Sequence, residues 1–336
     1  MTLFQRHFLS DADFSASDIE TVLHLAGEFK SSRSQNAYLS GKHLALVLEK
    51  TSTRTRIAFE VAMKRQGGFV TTLDYGMSQL GLRESIADTA SVLDRIYDVI
   101  AYRGIHHDEA QTLSHQSSKP VINALTDIWH PTQALADYFT MYEVKNPSSW
   151  KDVNVAYVGD GHNNVANSLL TTGALLGANI RIAAPESLQP EFTIEARALE
   201  AAAESGARIL ITEDPLEAVL GADFVYTDVW VSMGEPIDAW NERINLLRDY
   251  QVNSALMNAT KNSEAKFLHC LPAIHDSHTE IGQQIASNYG ITDGVEVTDE
   301  VFKSPASIVF QQAENRLYTI EALLVLLASE TYRQDV

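Results

Sequence analysis

Leu44-Ala45-Leu46-Val47-Leu48-Glu49-Lys50-Thr51-Ser52-Thr53-Arg54-Thr55-Arg56 runs directly into Ile57-Ala58-Phe59-Glu60-Val61-Ala62-Met63. The opening apolar run predicts a short strand at the buried centre of a parallel sheet. The second half, with Ile57, Val61, Phe59 and Ala62 as its apolar residues, predicts a helix that stops before Gly67-Gly68. Four hydroxyls, of Thr51, Ser52, Thr53 and Thr55, and two guanidiniums lie between strand and helix. A helix N-terminus presents unpaired N–H groups and a positive dipole end, so an anion is its natural ligand. Hydroxyl donors and arginine forks sharpen that preference toward phosphate. The plainer alternative is a helix capped by Ser52 with two solvated arginines.

Working outward, the alternation of strand and helix continues. Phe69–Leu73, Val99–Tyr102 and Val121–Ala124 read as strands, with helices at Ile86–Tyr97 and near Glu109–His115. Ser17-Asp18-Ile19-Glu20 resembles a capping box at the start of a surface helix. Strand–helix repetition predicts a parallel sheet with helices on its faces, whose ligands bind at the carboxyl ends of the strands. Arg103, directly after its strand, then points to the same edge as the phosphate turn. The loop Asp74–Ser85 contains Ser78, Gln79 and Arg83, and on its own residues reads more readily as a surface loop than as a binding segment. His130-Pro131-Thr132-Gln133 opens a further helix with proline well placed in its first turn, and Asn146-Pro147-Ser148-Ser149 suggests a domain boundary.

The second half repeats the pattern. Strands are predicted at Val153–Val158, Ile180–Ala183, Ile209–Ile211, Phe224–Thr227 and Lys266–Leu268, and helices at Val165–Leu176 and Ile308–Glu330. The last of these has an amphipathic pattern, so Glu314-Asn315-Arg316 fits an ordinary solvated face. Gly159-Asp160-Gly161-His162-Asn163-Asn164 invites a dinucleotide reading. Asn164 stands where the fingerprint needs glycine, however, and no acidic residue follows at Ala183-Ala184-Pro185. The expected architecture is α/β, with two parallel-sheet domains linked by interdomain helices. The expected boundaries are 1–147, 148–307 and a C-terminal helix, 308–336, packed back on the first domain.

Composition narrows the partners. The chain has 336 residues, 25 Lys and Arg against 44 Asp and Glu, and a formal net charge of −19. So acidic a chain repels nucleic acid and anionic membrane, and it must concentrate positive charge locally to hold a phosphate. One cysteine, Cys270, excludes an internal disulfide framework and fits a reducing compartment. Residues 1–14 lack the apolar core of a secretory signal, and the run 322–328 is too short to span a bilayer. A cytoplasmic location is expected.

Five separated motifs resemble the aspartate/ornithine carbamoyltransferase family, in order and across nearly the whole chain. They are the turn Ser52–Arg56, Ser78-Gln79, His130–Gln133, Asp228 with Ser232-Met233-Gly234, and His269-Cys270-Leu271-Pro272. Cys270-Leu271-Pro272-Ala273, where aspartate-specific members carry Pro-Leu-Pro-Arg, and the Ser-Met-Gly segment place the likeness in the ornithine branch. The resemblance implies transfer of the carbamoyl group of carbamoyl phosphate to the δ-amine of L-ornithine, giving citrulline and phosphate. It implies that Ser52, Thr53, Arg54, Thr55, Gln79 and Arg103 bind the phosphate. His130, Pro131, Thr132, Gln133, Cys270, Leu271 and Arg316 are implied to complete the carbamoyl-phosphate site. Asn164, Asp228, Ser232 and Met233 are implied to hold ornithine, with Arg54, Arg103, His130 and Cys270 as the catalytic set. A putrescine-specific relative and a non-catalytic binding protein are the alternatives. Arg83 replaces a common lysine, and Ile128 a residue that is usually acidic.

The implied chemistry needs no cofactor and no metal, and the eleven histidines show no ligand pair in a convincing spacing. The amine must first lose a proton, since an alkylammonium has a pKa of about 10.4. It then attacks the carbamoyl carbon directly. Covalent catalysis by Cys270 is the competing route, with His269 as the one histidine base beside it. The family likeness also implies a homotrimer, or a multiple of trimers, with Gln79 reaching a neighbouring subunit's site. The direction of the pathway, synthetic or catabolic, stays open at this level.

Overall fold

A computed structural model of the chain describes residues 2–32, 37–74, 84–231 and 239–332. It divides into two compact units, one of Met1–Thr140 with Ala313–Val336 and the other of Met141–Gln312.

The first unit runs α1 (Ala16–Ser32), β1 (His43–Leu48), α2 (Thr53–Arg65), β2 (Phe69–Asp74), α3 (Ile86–Ile96), β3 (Val99–Arg103), α4 (His107–Gln116) and β4 (Val121–Leu125). Its strands are parallel in the order β2-β1-β3-β4. The central strands β1 and β3 are apolar and buried along almost their whole length, as strands covered on both faces must be. The chain leaves β1 toward β2 and later returns to its other side with β3. That reversal opens a crevice at the carboxyl ends of β1 and β3. The segments that meet there are Glu49–Ser52 and Arg103-Gly104, and the Glu49 N–H donates to the Arg103 carbonyl at 2.9 Å.

α5 (Pro131–Lys145) leads into the second unit. There follow β5 (Asn154–Val158), α6 (Asn164–Leu176), β6 (Asn179–Ala183), α7 (Phe192–Ser205), β7 (Arg208–Thr212), α8 (Pro215–Val219) and β8 (Phe224–Tyr226). After them come α9 (Ala239–Leu247), α10 (Ser254–Ala259), β9 (Lys266–Leu268), α11 (Glu280–Tyr289) and α12 (Asp299–Phe302), and finally α13 (Val309–Ala328). The strand order is β7-β6-β5-β8-β9, again parallel. Here the reversal falls between β5 and β8, so Gly159–Asn164 and Thr227-Asp228 share the crevice. The divisions between units, after Thr140 and after Gln312, lie within α5 and α13.

Three local expectations change. The helix α1 is boxed by Ser15 and Asp18, not by Ser17 and Glu20: the Asp18 N–H donates to Ser15 Oγ at 3.2 Å and the Ser15 N–H to Asp18 Oδ2 at 3.0 Å. On α2 the buried face is Thr55, Ala58, Phe59, Ala62 and Met63, while Ile57 and Val61 are exposed. The third concerns α13, which is buried on every side from Tyr318 to its end at Ala328, the behaviour of a central helix and not of an amphipathic surface one. Glu314 is exposed, but Asn315 and Glu321 are turned inward and paired. Glu321 accepts from Gln66 Nε2 at 2.7 Å, Asn315 Oδ1 accepts from Lys30 Nζ at 2.7 Å, and Asn315 Nδ2 donates to Thr140 Oγ1 at 2.9 Å. Buried polar groups persist when they are hydrogen-bonded in this way.

Candidate active site

In the first unit the site is built on the N-terminus of α2. Ser52 caps the helix, its Oγ accepting from the Thr55 N–H at 3.2 Å. No acidic residue occupies the first turn, so the positive end of the helix dipole is not offset locally. Thr55 is buried, and its Oγ1 lies 3.3 Å from Arg103 Nη1 and 3.2 Å from Arg316 Nη2. Arg103 comes from the end of β3 and Arg316 from α13, and both guanidiniums are buried. Arg54 is half-buried in the first turn. Arg56 differs. It is exposed and engaged by Glu60 at 3.0 Å and Asp74 at 3.4 Å, on the outer side of α2.

His130, at the start of α5, is buried beside these arginines. Burial, and then the charges of Arg316, Arg103 and Arg54, hold its pKa well below the usual imidazole range. The ring is therefore neutral at physiological pH, one nitrogen a donor and the other an acceptor. Gln133, one turn further on, donates from Nε2 to Asp137 Oδ1 at 2.7 Å. Its Oε1 has no hydrogen-bond partner among the described residues, and neither does Thr132 Oγ1. Three cations, a helix N-terminus, a neutral imidazole and an unclaimed amide oxygen suit a ligand with a dianionic end and an amide-like N–H end. The solvated-arginine alternative and the solvated-face reading of Glu314-Asn315-Arg316 both give way here, because Asn315 and Arg316 are buried.

Sequence reasoning passed over Glu49 and Tyr102, which flank the turn. The Tyr102 hydroxyl bonds Glu49 Oε2 at 2.8 Å and also Glu109. Burial raises the Glu49 pKa, with Glu109 adding to the rise. Gly104 lies under that hydroxyl, where any Cβ would collide with it.

The second unit gathers a different set. After β5, Asn163 caps α6 by accepting the Ala166 N–H at 2.8 Å and donates to the Tyr157 hydroxyl at 2.7 Å, which leaves Asn164 as the first helical residue. Asp160 is held by Arg243 at 2.8 Å. After β8, Asp228 Oδ1 accepts from the Val229 N–H at 2.8 Å and from Cys270 Sγ at 3.0 Å. His269 is fully buried, and its Nδ1 accepts the Leu271 N–H at 2.9 Å. That bond places the ring proton on Nε2, which faces Glu296 Oε1 at 3.4 Å. One ring nitrogen, Asp228 and the Cys270 thiol nevertheless lie within 4.8 Å of one another. Leu271 adopts φ 59°, in the left-handed region, a strained conformation that such a bond helps to hold. Gln79, Arg83, Ser232, Met233 and Gly234 lie outside the described residues.

Fold and site together define a two-unit α/β protein, with a phosphate-type anion site in its first unit and a carboxylate–thiol pair in its second. The chain belongs to the aspartate/ornithine carbamoyltransferase family. Residues 6–143 match that family's carbamoyl-P binding domain and residues 151–327 its Asp/Orn binding domain. Two curated relatives, each named a catabolic ornithine carbamoyltransferase, come from Burkholderia mallei and Pseudomonas putida. Each is 50% identical over 327 residues, covering 96% of this chain and 97% of the relative. Among solved structures, ornithine carbamoyltransferase from Pyrococcus furiosus is 42% identical with a TM-score of 0.88, covering 98% of both chains. The Gloeobacter violaceus enzyme is 39% identical with a TM-score of 0.81, covering 97% of this chain and 99% of its own.

Proposed function

We propose that this chain is an ornithine carbamoyltransferase, transferring the carbamoyl group of carbamoyl phosphate to the δ-amine of L-ornithine. The observation that carries the reading is the Thr55 hydroxyl bridging Arg103 and Arg316 at a helix N-terminus beside a neutral His130. In this reading Ser52, Thr53, Arg54, Thr55 and Arg103 hold the phosphate dianion. Gln133 Oε1 accepts from the carbamoyl NH2 group, and His130 donates to the carbamoyl oxygen as it gains charge. Asp228 pairs the α-ammonium of ornithine, with Asn164, Ser232 and Met233 around the amino acid and Cys270 oriented by Asp228.

The reaction then needs no covalent intermediate. The neutral amine forms a C–N bond to the carbamoyl carbon, the C–O bond to phosphate breaks, and the departing phosphate takes the surplus amine proton. Arg54, Arg103, Arg316 and His130 are in place before charge develops, the arrangement in which one donor contributes roughly 3–4 kcal/mol to the transition state. A cytoplasmic enzyme assembled as a trimer, or a multiple of trimers, with shared sites completes the proposal. The catabolic names of the relatives support a place in arginine breakdown. Citrulline formation from carbamoyl phosphate and ornithine, with putrescine offered in parallel, tests the assignment; activity with putrescine alone overturns it. Deleting the gene tests the direction: growth sustained by arginine breakdown should fail while arginine synthesis continues.

A further inference from the structure

Beyond the substrate residues, the second unit brings together His275, Asp276 and Asp299, whose ligand atoms all lie within 4.8 Å of one another. His275 Nδ1 is 2.7 Å from Asp299 Oδ1 and 3.7 Å from Asp276 Oδ2. A second imidazole follows, with His278 Nδ1 2.8 Å from the same Asp276 Oδ2. These separations straddle the spacing of roughly 3.3 Å between neighbouring ligands of a tetrahedral ion with bonds near 2.0–2.1 Å.

The cluster is held in place by its surroundings. The His275 ring stacks on Phe302 at 3.7 Å with planes 5° apart, which fixes where Nδ1 points. On one side of it the Ile274 N–H donates to Glu296 Oε1 at 2.6 Å and the Ile274 carbonyl accepts the Val295 N–H at 2.7 Å. Asp276 Oδ1 is committed to the His278 N–H at 3.0 Å, which leaves Oδ2 for the imidazoles. Asp299 opens α12, and Lys303 one turn later sits 2.8 Å from its second oxygen. Lys303 is mostly exposed and can swing away.

We propose that His275, Asp276 and Asp299, with water in the fourth position, form a binding site for a zinc-class divalent cation. Imidazole nitrogen with carboxylate oxygen in a four-coordinate arrangement suits Zn2+ or Co2+ better than Mg2+, which demands an octahedron of oxygens and water. Two carboxylates neutralise the ion. Occupancy would fasten the segment after Cys270-Leu271-Pro272 to α12. No step of the reaction runs through it. The site escapes sequence reasoning because Asp299 joins His275 from 24 residues away.

The test uses the full chain stripped with a chelator and titrated with Co2+ and Zn2+. Among the described residues one other cluster brings potential ligand atoms within 4.8 Å of one another, Asp228-His269-Cys270; it contains a thiol and gives the discrimination. Binding at the proposed site should produce visible d–d bands without a thiolate-to-cobalt charge-transfer band, and should survive Cys270→Ser. His275→Gln and Asp299→Asn should each weaken Zn2+ binding by at least about tenfold. A charge-transfer band, loss of binding in Cys270→Ser, no binding at millimolar metal, or wild-type affinity in both variants overturns the proposal. The cobalt spectrum of the unmodified chain decides the matter even if a variant fails to fold.

Discussion

Thr55 Oγ1 lies between two buried guanidiniums, 3.3 Å from Arg103 Nη1 and 3.2 Å from Arg316 Nη2. Accepting from both uses its lone pairs and leaves its own hydrogen to donate outward. Thr55 is therefore the strut that aligns two arginines, with a hydrogen left over for the proposed phosphate.

Thr55→Val keeps the shape but removes the acceptor from both guanidiniums. A hydrogen bond to a charged group contributes about 1.5–3 kcal/mol, so the variant should lose stability of that order in urea unfolding. Its kcat/KM for carbamoyl phosphate should fall by roughly 100-fold or more. Thr55→Ser should retain most of both. If valine and serine behave alike, the two-arginine bridge is not what aligns the site.

The neutral His130 gives a pH signature. Its folded pKa lies below its unfolded value of 6.5, so below about pH 6.5 the unfolded chain binds a proton that the folded chain refuses. Stability therefore falls as pH drops from 6.5 toward the folded pKa, with a slope approaching about 1.4 kcal/mol per pH unit. His7 and His107 are also lowered by burial and contribute in the same sense. The informative quantity is thus the difference between wild type and His130→Asn. Urea unfolding from pH 5 to 8 should show a shallower acid slope for the variant. Parallel curves would mean that His130 carries a proton in the folded state.

Legibility in the sequence follows the distance between partners. The strand, Ser52 cap and α2 are contiguous, so strand, turn and anion preference could all be read from residues 44–66. Thr55 and Arg316 are 261 residues apart, and Cys270 and Asp228 are 42 apart; family likeness, and not local pattern, brought them together. The same distance explains the misreading of α13. Gln66 and Glu321 are separated by 255 residues and Lys30 and Asn315 by 285, so polar residues with buried partners look in sequence like a wet face. Ser15 and Ser17 are equally good caps on composition, and only the reciprocal bond of Ser15 with Asp18 chooses between them.

Asp228 should separate the two ligands. Asp228→Asn removes the charge offered to the α-ammonium and weakens the bond that orients Cys270. Loss of one member of a buried charged pair costs about 2–3 kcal/mol or more, roughly a 30- to 150-fold rise in ornithine KM. Carbamoyl-phosphate affinity, measured by calorimetry with a stable analogue, should stay within a few-fold. Equal losses for both ligands would make Asp228 a scaffold residue of the β8 end.

The shared-site proposal predicts complementation between two inactive proteins. Arg54 belongs to the phosphate turn of its own chain, while Gln79 is proposed to reach the phosphate of a neighbour in a cyclic trimer. Arg54→Ala should remove several kcal/mol of transition-state stabilisation, and Gln79→Ala should also be nearly inactive. Each variant alone then has no intact site. In a mixed ring one directed interface joins a chain with an intact turn to a neighbour with an intact Gln79. Because such interfaces are heterologous and directional, either mixed composition restores about one site in three. The two proteins are unfolded together, refolded as a mixture, and checked for mixed trimers by native mass spectrometry. Citrulline formation should rise well above that of either parent, in proportion to the mixed fraction. Mixed trimers with only parental activity would show that each chain completes its own site.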